Sequence, residues 1–112
     1  MQPELNEDTK TLILQDFEME GQDPLVSEDE LFAMLADRIA YMIEHKLDFL
    51  LSLMYRLDVK EAKVQFALSP LAPDPPHIGL AKLVMERQRV RMATKLHYKQ
   101  PKLEDIDEEL KF

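Results

Sequence analysis

The chain of 112 residues contains no cysteine. That absence removes disulfides, thiolate metal sites and cysteine nucleophiles together. Glycine is almost as scarce, with Gly21 and Gly79 the only two. An all-β fold needs many tight turns with permissive backbones, so two glycines argue for helices instead. No long uninterrupted apolar run is present either. The richest stretch, Phe32 to Leu57, is broken by Asp37, Arg38, Glu44, His45, Lys46, Asp48 and Arg56, which excludes it as a membrane span. The first residues are acidic and polar where an export signal starts basic and then turns apolar, so the expected location is cytoplasmic. Glycine-rich phosphate loops, nucleophile elbows and the His-Glu-x-x-His motif are also missing.

What is present is a hydrophobic fraction of 46% and a charged fraction of 32%, a globular composition with room for one domain. The net charge of -8 averages three unlike segments. Residues 1–30 hold ten acids against one base, residues 31–103 seven against twelve, and residues 104–112 five against one. The division expected from this is an acidic mobile arm over 1–26, a helical domain over 27–98 and an acidic tail over 99–112. Within the arm, Leu12, Ile13, Leu14, Phe17 and Met19 form a short apolar patch open to three readings: a strand, a helical turn or a docking segment.

Ser27 followed by Glu30 is a capping box, with Val26 and Leu31 as its hydrophobic staple. It starts a helix expected to run from about residue 28 to about residue 57. Asp37, Tyr41, Glu44, Asp48, Ser52 and Arg56 follow one another in steps of three and four and so trace one polar stripe. Most of the remaining circumference is apolar, which demands burial on several sides. A second copy of the chain is the expected cover.

Asp58 is positioned to cap a second, short helix carrying Val59, Ala62 and Phe66; the alternative is that helix one continues through it, kinked or straight. The segment Ser69 to Pro76 then stops any helix through its prolines. Asp74 and Pro75 are an N-cap and first-position proline for a third helix reaching about Leu96. The expected fold is therefore all-α, an antiparallel bundle of two long helices and one short helix, completed by dimerisation.

Arg87, Arg91 and Lys95 lie four apart on the third helix and Asp37, Glu44 and Asp48 share the polar stripe of the first, so cross-helix pairing is expected. With Arg89, these are the candidate interaction residues. Glu44, His45 and Asp48 are the one tight cluster of ligand-type side chains. His45 is turned about 100° from Glu44 and no second Glu-x-x-His follows, so the di-iron pattern is incomplete. The expected set of metals, cofactors and catalytic residues is empty. The leading reading is a non-catalytic protein–protein interaction or regulatory module acting as a homodimer. The alternatives are a nucleic-acid-binding protein using the basic third helix, and a metal-dependent enzyme using Glu44, His45 and Asp48.

Leu53-Met54-Tyr55-Arg56-Leu57-Asp58-Val59, together with Met85-Glu86-Arg87-Gln88, resembles a small family of helical bacterial proteins over residues 31–96. That family carries no assigned activity, so the resemblance implies no catalytic role for Tyr55, Arg56, Asp58 or Arg87.

Overall fold

The computed structural model describes residues 4–19 and 21–98. These form five helices, α1 (Glu7–Asp16), α2 (Glu28–His45), α3 (Leu47–Arg56), α4 (Glu61–Leu68) and α5 (Pro76–Tyr98), and no strand is found among the described residues. None of the helices is long and apolar enough to cross a membrane. The acidic tail expected over 99–112 lies outside the described residues.

Helix α2 starts where the capping box requires. Ser27 Oγ accepts from the Glu30 amide at 3.1 Å and Glu30 Oε1 accepts from the Ser27 amide at 3.1 Å. The expected single helix over 28–57 is interrupted, however. Lys46 adopts φ -145° and ψ 45°, closing α2 through its amide to Met42 and opening α3 through its carbonyl to Leu50. Side chains on both sides of the bend reach the residues that follow α1. Lys46 Nζ reaches the Glu18 carboxylate at 2.7 Å, and Arg38 donates to the Phe17 carbonyl at 2.9 Å and to Glu18 at 3.2 Å. These contacts tie the bend to the carboxyl end of α1.

Residues 5–19 are consequently part of the packed body and not an arm. Leu5, Ile13, Leu14, Phe17 and Met19 join Leu31, Leu35, Ile39, Met42, Leu50, Leu53, Leu80, Val84 and Met92 in one core. Asn6 caps α1 by accepting from the Thr9 amide at 2.9 Å. Of the patch at 12–14, Ile13 and Leu14 face inward while Leu12 stays exposed. Helix α5 is the main cover of α2, and Ile13 and Leu14 of α1 add to the same core.

Helix α5 runs antiparallel to α2, since Glu28 meets Arg89 while Phe32 shares a groove with Lys82 and Met85. Pro76 occupies the first helical position, one residue later than expected, and the Asp74 carboxylate takes Lys82 at 2.9 Å. Helix α4 lies on the first half of α5, where a Cβ on Gly79 would meet Ala67 Cβ at 3.3 Å. A glycine there lets the two helices approach closely.

Asp58 does not cap α4, which begins at Glu61 without a side-chain cap. It lies instead in the left-handed region at φ 67° and terminates α3. The Val59 amide bonds to the Met54 carbonyl at 3.1 Å and the Asp58 amide to Tyr55 at 3.0 Å, the pair of bonds of a Schellman ending. Glu18, at φ 59°, ends α1 in the same way through Met19 to Leu14 and Glu18 to Gln15. Two helices therefore close on carboxylates where glycine is the usual residue.

Asp58 pairs with Arg87 at 3.1 Å, but its side chain is 83% exposed, so that contact contributes at most about 1 kcal/mol. Asp58→Gly is expected to stay within about 0.5 kcal/mol of the native chain, because relief of the left-handed strain offsets the lost pair. Asp58→Val loses the same pair and keeps the strain, and should cost about 1–2 kcal/mol. Urea unfolding of both variants reads the difference.

Candidate functional site

The polar stripe falls where its periodicity places it: Asp37, Tyr41, Glu44, Asp48, Ser52 and Arg56 are all exposed. The cross-helix pairing expected of it is not found among the described residues. Arg87 goes to Asp58 and Arg89 to Glu28 at 2.5 Å, with Glu86 at 4.0 Å, while Arg91 and Lys95 lie exposed. The reason is geometric. The stripe faces solvent on both sides of Lys46, and the acids that the bases of α5 meet are Glu28 at the start of α2, Asp58 after α3 and Asp74 ahead of α5. Two of the four bases of the expected nucleic-acid helix are thus engaged within the fold.

Glu44 and His45 approach to 3.6 Å at the surface, and the His45 ring packs on Tyr41 with centroids 4.6 Å apart. Asp48 lies beyond the bend, on α3. No group of three or more His, Asp or Glu side chains that could hold a metal ion occurs among the described residues. The cluster that is adjacent in sequence is not assembled in space.

Two carboxylates have displaced titrations, in opposite directions. Burial pushes Asp16 up, against the pull of Arg56 and Arg91, whereas the hydrogen bond and charge of Lys46, aided by Arg38, hold Glu18 down. Glu18 has a folded value below its unfolded one, so its contribution to stability is complete above the unfolded value and is lost as pH falls through the folded one. For Asp16 the folded value is the higher, so its contribution is complete below the unfolded value and lost as pH rises through the folded one. Glu18→Gln should flatten the acid limb of the stability profile, and Asp16→Asn should steepen it while leaving the neutral-pH stability undiminished. Thermal midpoints recorded between about pH 3 and pH 7 cover both titrations.

One apolar feature at the surface lies on α3 and α4. Leu47, Leu51 and Tyr55 succeed one another by four residues, and all three are exposed, Tyr55 to 83%. They form a stripe along one side of α3. Beside it runs a groove of about 490 Å³ between α3 and α4, floored by Met54, Val59, Val64 and Leu68 and edged by Glu61 and Gln65. The apolar circumference as read from the sequence is not divided into covered and uncovered sides, so this stripe is not singled out there. The signal that marks it is the common spacing of four of Leu47, Leu51 and Tyr55, offset by one residue from Asp48, Ser52 and Arg56.

A second groove, of about 440 Å³, separates α1 from α5 and is bordered by Leu12, Arg87, Val90, Arg91, Lys95 and Leu96. Comparisons of the chain with models of protein families, with curated proteins and with solved structures find no match. They bear neither for nor against the resemblance over residues 31–96.

Proposed function

We propose that this chain is a non-catalytic protein–protein interaction module of the cytoplasm that works as a homodimer through α3. The observation that carries the reading is the exposed stripe of Leu47, Leu51 and Tyr55. An interior helix would bury it, and a helix facing water gains nothing from three large apolar groups in register.

A second copy fits that stripe by symmetry. Two α3 helices crossed antiparallel on a two-fold axis at Leu51 would set Leu47 against Tyr55 of the partner subunit, and Leu51 against its own counterpart. The same axis brings Asp48 toward Arg56 of the partner subunit: the two lie about 4.5 Å and 7.5 Å from it along the helix, an offset that a long arginine side chain spans. Apolar centre and oppositely charged rim then match in a single arrangement. This is the arrangement expected of a self-complementary patch.

Sedimentation equilibrium tests it. The expected result is reversible association from 13.1 kDa to twice that mass, lost in Leu51→Glu, weakened in Asp48→Arg and recovered when Arg56→Asp is added. A mass of one chain at every concentration, or association unchanged by Leu51→Glu, contradicts the proposal. The second reading, nucleic-acid binding by α5, rests on exposed Arg91 and Lys95. A mobility shift that falls steeply with salt would favour it.

A further inference from the structure

The groove between α1 and α5 combines two kinds of surface. Leu12, Val90 and Leu96 present apolar side chains that are 46%, 43% and 49% exposed. Arg87, Arg91 and Lys95, spaced by four on α5, line the same length. Asp8 also lines the groove, Asp58 holds one end of the Arg87 guanidinium, and Asp16 lies within electrostatic reach of Arg91. None of them closes on Arg91 or Lys95, which are exposed and hold no carboxylate at ion-pair distance among the described residues. Arg87 Nε is buried and has no acceptor among the described residues. A buried donor without a partner is costly, which favours a guanidinium re-aimed toward any acceptor that enters the groove.

Few kinds of partner match both surfaces. A nucleic acid would use the bases but leave Leu12, Val90 and Leu96 unmatched, and no aromatic ring lines the groove for a base to stack on. A wholly apolar segment would cover the cations without pairing them, at a cost in desolvation. A helix with one apolar side and carboxylates along its flank satisfies both, in the manner of helix-in-groove recognition. We infer that the α1–α5 groove is the docking site of an acidic amphipathic helix of a partner protein. Its apolar side lies on Leu12, Val90 and Leu96, and its carboxylates meet Arg91 and Lys95. The site is separate from α3 and from the proposed dimer.

Dimensions agree with this occupant. From Arg87 to Leu96 the axis of α5 rises about 14 Å, the length of about nine helical residues. Arg91 and Lys95 are about 6 Å apart along that axis, the spacing of two glutamates four residues apart on a facing helix. Exposed ion pairs contribute little affinity, so the apolar contacts supply most of it while the charges decide which helices are accepted.

Fluorescence anisotropy on the full chain tests the site. The probe is a labelled peptide of about fifteen residues, with leucine in alternating steps of three and four and glutamate between. The expected result at low salt is a saturable rise in anisotropy. It should be lost when lysine replaces the glutamates, and weakened at least about tenfold when alanine replaces the leucines. The Arg91→Gln, Lys95→Gln double variant alters two exposed positions, should fold normally, and should bind the probe about tenfold more weakly. Leu51→Glu, which breaks the proposed dimer, should bind it as the native chain does, so failure of the dimer and failure of this site are distinguishable. Four results would overturn the inference: no saturable rise, equal affinity for the alanine peptide, undiminished affinity in the double variant, or tighter binding of a single-stranded oligonucleotide than of the peptide.

Discussion

Replacement of Phe17 by alanine should lower the unfolding free energy by about 3–5 kcal/mol, the cost of truncating a large buried aromatic ring. Phe17 is fully buried, and it lies at the hinge of the architecture. Its ring fills the core, its carbonyl receives Arg38, and the next residue turns left-handed to hold Lys46. A cavity left there cannot collapse freely, because the backbone on either side is fixed by those contacts. Small domains have only about 5–15 kcal/mol in total, so the variant would be near its limit at room temperature. Ile13→Val, at about 0.5–1.5 kcal/mol, gives a milder reading of the same packing. Urea denaturation measures both. A loss below about 1 kcal/mol for Phe17→Ala would mean that the first nineteen residues contribute little to the core.

The second large effect is expected at Glu28. Its carboxylate joins three parts of the chain: it accepts from the Leu5 amide ahead of α1, opens α2, and lies 2.5 Å from Arg89 on α5. Both side chains are largely covered, at 20% and 15% exposure. Hydrogen bonds to a charged group are worth about 1.5–3 kcal/mol when shielded, and partial exposure tempers the sum. Glu28→Ala should therefore cost about 2–3 kcal/mol. Glu28→Gln keeps an acceptor for Leu5 but removes the charge opposite Arg89, and should lose about half as much. If the glutamine variant were as stable as the native chain, the charge would have no role at this junction.

Much of the helical frame is legible from residues alone, and the exceptions share a cause. The Ser27 and Glu30 box works because capping is a local exchange between neighbours. The exposed stripe from Asp37 to Arg56 follows because 3.6-residue periodicity is also local, and it survives the bend. The bend itself has no local signature. Leu47, Asp48 and Phe49 continue a helical pattern, and the contacts that accompany the turn, Lys46 and Arg38 with Glu18, join residues twenty or more positions apart. Asp58 offers the reverse case. A capping side chain was the simple expectation, yet Asp is also one of the few residues that tolerates the left-handed region, and a Schellman ending uses that property.

The acidic first segment shows how composition can mislead. Seven acids among its first 26 residues suggest a solvated arm, but the fold needs only the side of α1 that carries Ile13, Leu14 and Phe17. The acids sit mainly on the side that remains in water. The sequence suggests more apolar surface on the first long helix than one chain can cover, yet most of those residues are buried within the same chain. The remainder is narrow, confined to the stripe on α3 and the groove beside it.

That remainder can be examined most directly with one engineered thiol. In a chain without cysteine, Leu51→Cys places a sulfhydryl on the proposed two-fold axis, where the same residue of two copies meets. Mild oxidation should convert this variant to a covalent dimer much faster than Leu25→Cys, a more accessible position away from the stripe, Leu25 being 72% exposed in the native chain against 37% for Leu51. Equal rates for the two thiols would contradict self-association through α3.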